Sequence, residues 1–197
     1  RPHHRFLLEL HIRQYDAVTR AVAAIESRIE KLMEPFRVEL ELLRTTPGVK
    51  TATANAVLAE IGPDMSRFPS SAHLVSWAGL CPGQDESAGK RRSSGVRKGP
   101  RWLKTALVQA AWSAARKKDS YFRAQFHRLR ARRGPKKAIV AVAASILTSV
   151  FHMLSRRVPF HDLGGHHYDH LDRDRTAKRP IRRLKDLGLN VQIQSPA

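Results

Sequence analysis

The stretch DESAGKRRSSGVRKGPR, residues 85–101, sets a serine hydroxyl just ahead of a dense run of positive charge. A serine becomes a useful nucleophile when one group takes its proton and another neutralises the anion it attacks. Ser87 has the second requirement close by in Lys90, Arg91 and Arg92, which suits attack on a phosphate. Asp85 and Glu86 are the nearby carboxylates that offer a base, and Ser93 and Ser94 compete for the nucleophile's role. On residue type alone, a polar serine in a solvated turn is the ordinary reading, and it stays open here.

A second constellation lies in LLRTTPGVKTATANAVLAEIG, residues 42–62. An apolar helix end at Leu42 and Leu43 runs into a Pro-Gly-Val turn. A second helix follows, with Ala54, Val57, Leu58 and Ile61 on one side and Gly62 as its cap. This is the layout of a helix-hairpin-helix. There Gly48 allows a phosphate to approach the backbone, amides at the second helix's start bind it, and Lys50, Thr51 and Thr53 add a charge and two hydroxyls. Lys50 stands where that motif usually has a second glycine. A helical hairpin used only for packing is the competing reading.

Two further patterns are weaker. GQDESAGK has five residues between Gly83 and Gly89, one too many for a P-loop, and Arg91 follows Lys90 where Ser or Thr is needed, so ATP binding is not supported. In the tail, His161, Asp162, His166, His167, Asp169 and His170 have no fixed framework to set metal-ligand spacing. They read as a polar tail and not as a metal site.

Composition narrows the anion. The 197 residues carry 36 Lys and Arg against 17 Asp and Glu, a net charge of +19, and residues 90–137 alone hold 17 of those cations against one acid. Like charges at this density repel one another unless a polyanion neutralises them, and nucleic acid is the polyanion a folded basic surface meets most often. A membrane surface is disfavoured, because no amphipathic helix puts exposed aromatics on its apolar face. The most apolar run, AIVAVAASILTSVFHML at 138–154, is expected to stop short of a span and to form a buried core helix. The single cysteine, Cys81, leaves no internal disulfide and no cysteine-based zinc cluster, which fits a reducing cytoplasm.

The elements that must position these groups are mainly helical. The first 46 residues read as one long helix with a heptad seam: Leu8, Tyr15, Val22, Ile29 and Phe36 every seven positions, with His11, Val18, Ile25 and Leu32 between them. Pro35 is expected to kink or end that helix. The seam fits either a coiled coil with a second copy through residues 8–36 or packing on the chain's own domain. Ser70 or Ser71 starts a short helix whose Leu74 and Trp77 are expected in the core. A short basic loop or hairpin follows around 83–98. Pro100 then opens a helix that buries Leu103, Leu107, Ala110 and Ala111 and leaves Arg101 and Lys104 free. A helix from Ser120 to Arg132 and an apolar one over 136–155 complete the domain. The tail is expected to hold a short helix at Ile181–Leu187 and an extended LNVQIQ.

In order, these motifs resemble a known family. The run from TTPGVKTATANAVLAEIG through WAGLCP, SAGKRR and LKTALVQAAWSAAR to KKAIVAVAASILTSVFHML is similar to the C-terminal transposase domain of the insertion-sequence 110 group, the 116/110/902 family. The resemblance covers about residues 35–160, and the chain divides into a coiled-coil helix (1–44), a transposase domain (45–160) and a basic polar tail (161–197). It implies a DNA recombinase working with a structured guide RNA, whose separate RuvC-like domain carries four acidic ligands for magnesium. Those acids are missing from this chain, which looks like a transposase cut before its coiled coil, so no cofactor is expected here. The resemblance makes Ser87 the nucleophile of a phosphoserine intermediate, with Ala88 where members usually have glycine. The expected nucleic-acid contacts are Gly48, Lys50, Thr51, Thr53, Lys90, Arg91, Arg92, Arg97, Lys98, Arg101 and Lys104. The alternative is a helix-hairpin-helix module that binds phosphates without catalysis.

Overall fold

The computed structural model describes residues 1–83, 85–93, 95–171 and 181–188. Its organising element is helix α7 (Pro135–Arg156), which buries Ala138, Ile139, Val142, Ala143, Ile146, Leu147, Val150, Met153 and Leu154. That spacing of three and four forms a wide apolar stripe, and its alanines let neighbouring helices approach closely. Four helices pack on it: α2 (Arg37–Arg44), α4 (Ser71–Trp77), α5 (Arg101–Ala114) and α6 (Tyr121–Arg133). α3 (Thr51–Ile61) joins from the far side of α2 and α5, burying Ala54, Val57, Leu58 and Ile61. α7 is longer than the sequence suggested. Its 22 residues suffice in length and apolarity to cross a membrane, yet half of its apolar window is buried among the protein's own helices.

Local chemistry sets the helix ends. Ser70 and Ser120 accept hydrogen bonds from the amides of His73 and Arg123, capping α4 and α6. Gly62 ends α3 at φ +73°, its amide bonded to the Leu58 carbonyl. Gly134, at φ +78°, ends α6, and Pro135 starts α7 directly after it.

At the N-terminus α1 (Pro2–Met33) is one continuous helix with no buried residue. Pro35 ends it in a short 3-10 turn, Glu34–Phe36, before α2 begins. Phe36 leaves the heptad seam there and packs partly against the domain core with Met33 and Leu40. Leu74 is fully buried, as expected, but Trp77 is 43% exposed and rests on Phe68 at 5.7 Å between ring centroids. The expected extended segment LNVQIQ lies outside the described residues, and residues 181–186 are helical.

Residues 85–93 form a β-hairpin. Its strands β1 (Asp85–Ser87) and β2 (Lys90–Ser93) pair antiparallel, with Ser87 opposite Lys90, Glu86 opposite Arg91, and a bulge between Asp85 and Glu86. The pairing extends to the base through a Pro82–Val96 bridge, Gly83 N–H to the Gly95 carbonyl at 2.7 Å and Arg97 N–H to the Cys81 carbonyl at 3.3 Å.

Candidate nucleic-acid interface

Ser87 is the last residue of β1, immediately before the hairpin's two-residue turn. The turn residues Ala88 and Gly89 have φ +50° and +73°. Two consecutive positive φ values define the turn whose twist matches a two-stranded ribbon. Ser87 is therefore held at the tip of a projecting ribbon, exposed, and its hydroxyl has no hydrogen-bond partner among the described residues. The same geometry disposes of the P-loop, since a strand follows the turn where a phosphate-binding helix would have to begin.

Two glycines fix the base of the ribbon. A Cβ on Gly79 would lie 2.6 Å from the Arg97 carbonyl oxygen, and one on Gly99 would lie 2.5 Å from the Ala78 carbonyl. The two backbones cross where side chains would not fit. Lys104, expected to be free for nucleic acid, instead donates from Nζ to the Arg97 carbonyl at 2.9 Å and ties the returning strand to α5. Arg97, Lys98 and Arg101 are exposed around this junction. Lys90, Arg91 and Arg92 occupy β2 by backbone register.

The turn between α2 and α3 uses its residues differently from a plain phosphate loop. Gly48 has φ +83°, and a Cβ there would come within 2.2 Å of the Ala110 carbonyl oxygen and 2.8 Å of the Ala114 amide nitrogen. The space freed by the missing side chain is filled by α5. The preceding threonines anchor the same turn. Thr46 is buried and donates to Met153 Sδ at 3.4 Å, while Thr45 donates to the Leu42 carbonyl at 2.6 Å and accepts from Phe160 N–H at 2.8 Å. Lys50 stands at the N-cap of α3 with an extended backbone and no side-chain cap. Lys50 and Thr51 are exposed and Thr53 is half-buried. With Gly48 against Ala110 and Arg97 held at Lys104, α5 separates the two regions by roughly 9–15 Å at 1.5 Å per residue.

Individual residue types gave no site at the corner between α6 and α7. Arg130, Arg132 and Arg133 fill the last turn of α6, and Lys136 and Lys137 the first turn of α7, all exposed. The charge count was the signal, but the turn at Gly134 is what gathers it. This corner faces the hairpin base across a groove of about 760 Å³ lined by Pro82, Val96, Leu129, Val140, Arg133 and Lys136 among others, with no acidic side chain in its wall among the described residues.

Asp162 and Tyr168 of the tail pack onto the helical domain. Asp162 accepts from Tyr121 N–H at 2.9 Å and Gly164 N–H at 3.1 Å and pairs with Lys117 at 3.4 Å. Burial pushes its carboxyl upward, but these amides and the Lys117 charge outweigh that and hold it below the usual carboxylate range. His166 meets Asp169 at 3.5 Å, and Tyr168 stacks on Tyr121 beneath the Arg128 guanidinium, 4.8 Å from its ring centre. Burial and Tyr121 raise the Tyr168 hydroxyl well above its ordinary value. Among the described residues, no group of three or more His, Cys, Asp or Glu is placed to hold a metal ion.

Fold and site together define a mainly α, strongly basic domain that presents a serine on a cationic ribbon. Residues 40–127 match the family described as Transposase IS116/IS110/IS902, and this region is a transposase domain of that family. Over 133 residues, 66% of its length, the chain is 33% identical to a protein of Streptomyces coelicolor named "Insertion element IS110 uncharacterized 43.6 kDa protein". The chain spans 32% of that relative's length.

Proposed function

We propose that this chain is the serine-bearing, nucleic-acid-binding half of an insertion-sequence transposase, which cuts and rejoins DNA through a phosphoserine link. The observation that carries this reading is the exposed Ser87 at the ribbon tip, inside the matched transposase region. In the step, a bond forms between Ser87 Oγ and phosphorus as a phosphorus–oxygen bond to one sugar breaks. The serine proton passes to a base, and the departing sugar oxygen takes up a proton. The link keeps phosphodiester bond energy, so the reverse attack by a new sugar hydroxyl rejoins the strand. The charges of Lys90, Arg91 and Arg92, next along the ribbon, favour the extra negative charge of the transition state. Phosphates on either side are held by Arg97, Lys98 and Arg101, and at a second point by Lys50, Thr51 and the α3 amides in a helix-hairpin-helix manner. Gly48 belongs to packing and leaves this contact set, as does Lys104.

We propose that magnesium, which the family resemblance implies, is held by a separate acidic domain, and no step here runs through it. A structured guide RNA is a second proposed partner for the basic surface. α1, with its seam uncovered, is proposed to pair with a second copy.

A second reading, a binding module without chemistry, is favoured by the Ser87 hydroxyl, which is exposed and has no hydrogen-bond partner among the described residues. Ser87→Ala in the transposase that contains this domain separates the two. Recombination should fall by at least a thousandfold, with nucleic-acid affinity within about twofold of the parent. Retained recombination would eliminate Ser87 as nucleophile.

A further inference from the structure

Trp102 is 74% exposed, the highest value for a large apolar side chain among the described residues. One exposed apolar side chain is ordinary on a protein surface; its setting decides whether it means anything. Trp77 and Trp112 each rest against a phenylalanine, at 5.7 and 5.5 Å, whereas Trp102 meets no aromatic ring among the described residues. It lies in the first turn of α5, where Arg97, Lys98 and Arg101 are exposed beside it in the chain. No Asp or Glu occurs anywhere from residue 88 to residue 118. Further along α5, Thr105, Gln109 and Ser113 are exposed at three, seven and eleven positions on, within about 60° of Trp102 around the helix. The face thus combines one flat indole, neutral hydrogen-bonding side chains and uncompensated cations.

That combination selects its occupant. A second copy of the same face would bring cations against cations, and an uncharged apolar partner would leave the three basic residues desolvated and unpaired. An unpaired nucleotide satisfies all three features, since its base has a π-face, its edge has hydrogen-bonding groups and its phosphate is anionic. The platform is also rigid. Lys104 Nζ holds the Arg97 carbonyl at 2.9 Å and the Gly79–Gly99 crossing locks the strand that carries Arg97 and Lys98, so little ordering remains to be done on binding.

We propose that Trp102 is a stacking platform for an unpaired base of single-stranded RNA or DNA, with Arg97, Lys98 and Arg101 holding the adjoining phosphates. The proposal rests on the reading of this chain as nucleic-acid-binding, and it adds single-strand preference to that reading. The test uses an unstructured oligouridine, the matching oligothymidine and a DNA duplex of equal length, at one salt concentration.

Trp102→Ala should weaken both single strands by about five- to 150-fold and leave duplex affinity within about twofold, while Trp102→Phe retains most of the affinity. A larger loss for one oligomer identifies which nucleic acid the platform serves. In a variant with Trp77→Phe and Trp112→Phe, single strands should quench the remaining Trp102 emission. Equal loss on strand and duplex, no loss on either, or unchanged emission at saturation overturns the proposal. So does loss of self-association or of binding to an acidic protein in Trp102→Ala in place of the single-strand defect. Salt-dependent duplex binding that survives all of these leaves the broader reading standing without this one; absence of binding to every oligonucleotide removes both.

Discussion

Gly48 and Ala88 both adopt a left-handed backbone, at φ +83° and +50°, and they answer opposite demands. At Gly48 both the torsion and the space forbid a side chain, because α5 already occupies the position of a Cβ. At Ala88 the torsion alone is strained, at the exposed tip of a ribbon. Gly48→Ala should therefore cost roughly 2–5 kcal/mol, combining left-handed strain with overpacking against a helix backbone. An unfolding free energy from denaturant titration that falls by less than about 1 kcal/mol would show that α5 yields freely. Ala88→Gly should do the reverse locally, slowing amide exchange in the ribbon about two- to fivefold as the 0.5–1 kcal/mol of strain is relieved. The sequence shows that position 48 needs a glycine but not why. Its neighbours Ala110 and Ala114 lie more than sixty residues away, and the helix that brings them in is invisible to a local pattern. The Lys104 contact is hidden for a different reason, since its acceptor, the Arg97 carbonyl, is a backbone group that no residue type announces.

Among the elements, the helices were the most legible because their burial follows a period that the sequence prints directly. The four buried residues of α3 are those the spacing selects. The ribbon was harder to resolve, since its short strands carry no apolar alternation and its pairing is fixed by backbone hydrogen bonds and the Ala88–Gly89 turn. Trp77 failed as a core residue because α4 has only seven residues and its last turn reaches the surface. α1 combines both lessons. Its 32 residues extend about 48 Å, and Tyr15, Val18, Ile25 and Leu32 are all more than half exposed. Such a seam stabilises a helix mainly when another helix covers it. The chain is expected to sediment as a dimer at tens of micromolar, with Ile25→Asp shifting it to monomer and leaving the melting of the α2–α7 core unchanged. Sedimentation of the parent chain as a monomer at that concentration would refute the pairing.

At the scale of the whole molecule, charge is the property that local structure leaves unexplained. Residues 90–137 hold 17 cations and one acid, and the ion pairs among the described residues draw on this segment at Lys117, with Asp162. A cation at the first turn of α7 also sits at the wrong end of the helix dipole, so the helix itself gives no reason to place Lys136 there. A phosphate chain lying across the hairpin base, the groove and the α6–α7 corner would supply the missing counter-charge, and each phosphate bound would release condensed counterions. With six or more such contacts, log affinity should fall against log salt with a slope of about −5 or steeper. Replacing Arg130, Arg132 and Arg133 with Gln should reduce the slope by about 2–3 and leave the melting temperature nearly unchanged, because these side chains are exposed at the end of α6. A slope near zero in the parent chain would deny the basic surface its polyanion. A triple variant that keeps the parent's slope would confine the contact to the ribbon and α5, and the gathering of charge around Gly134 would then have no role in binding.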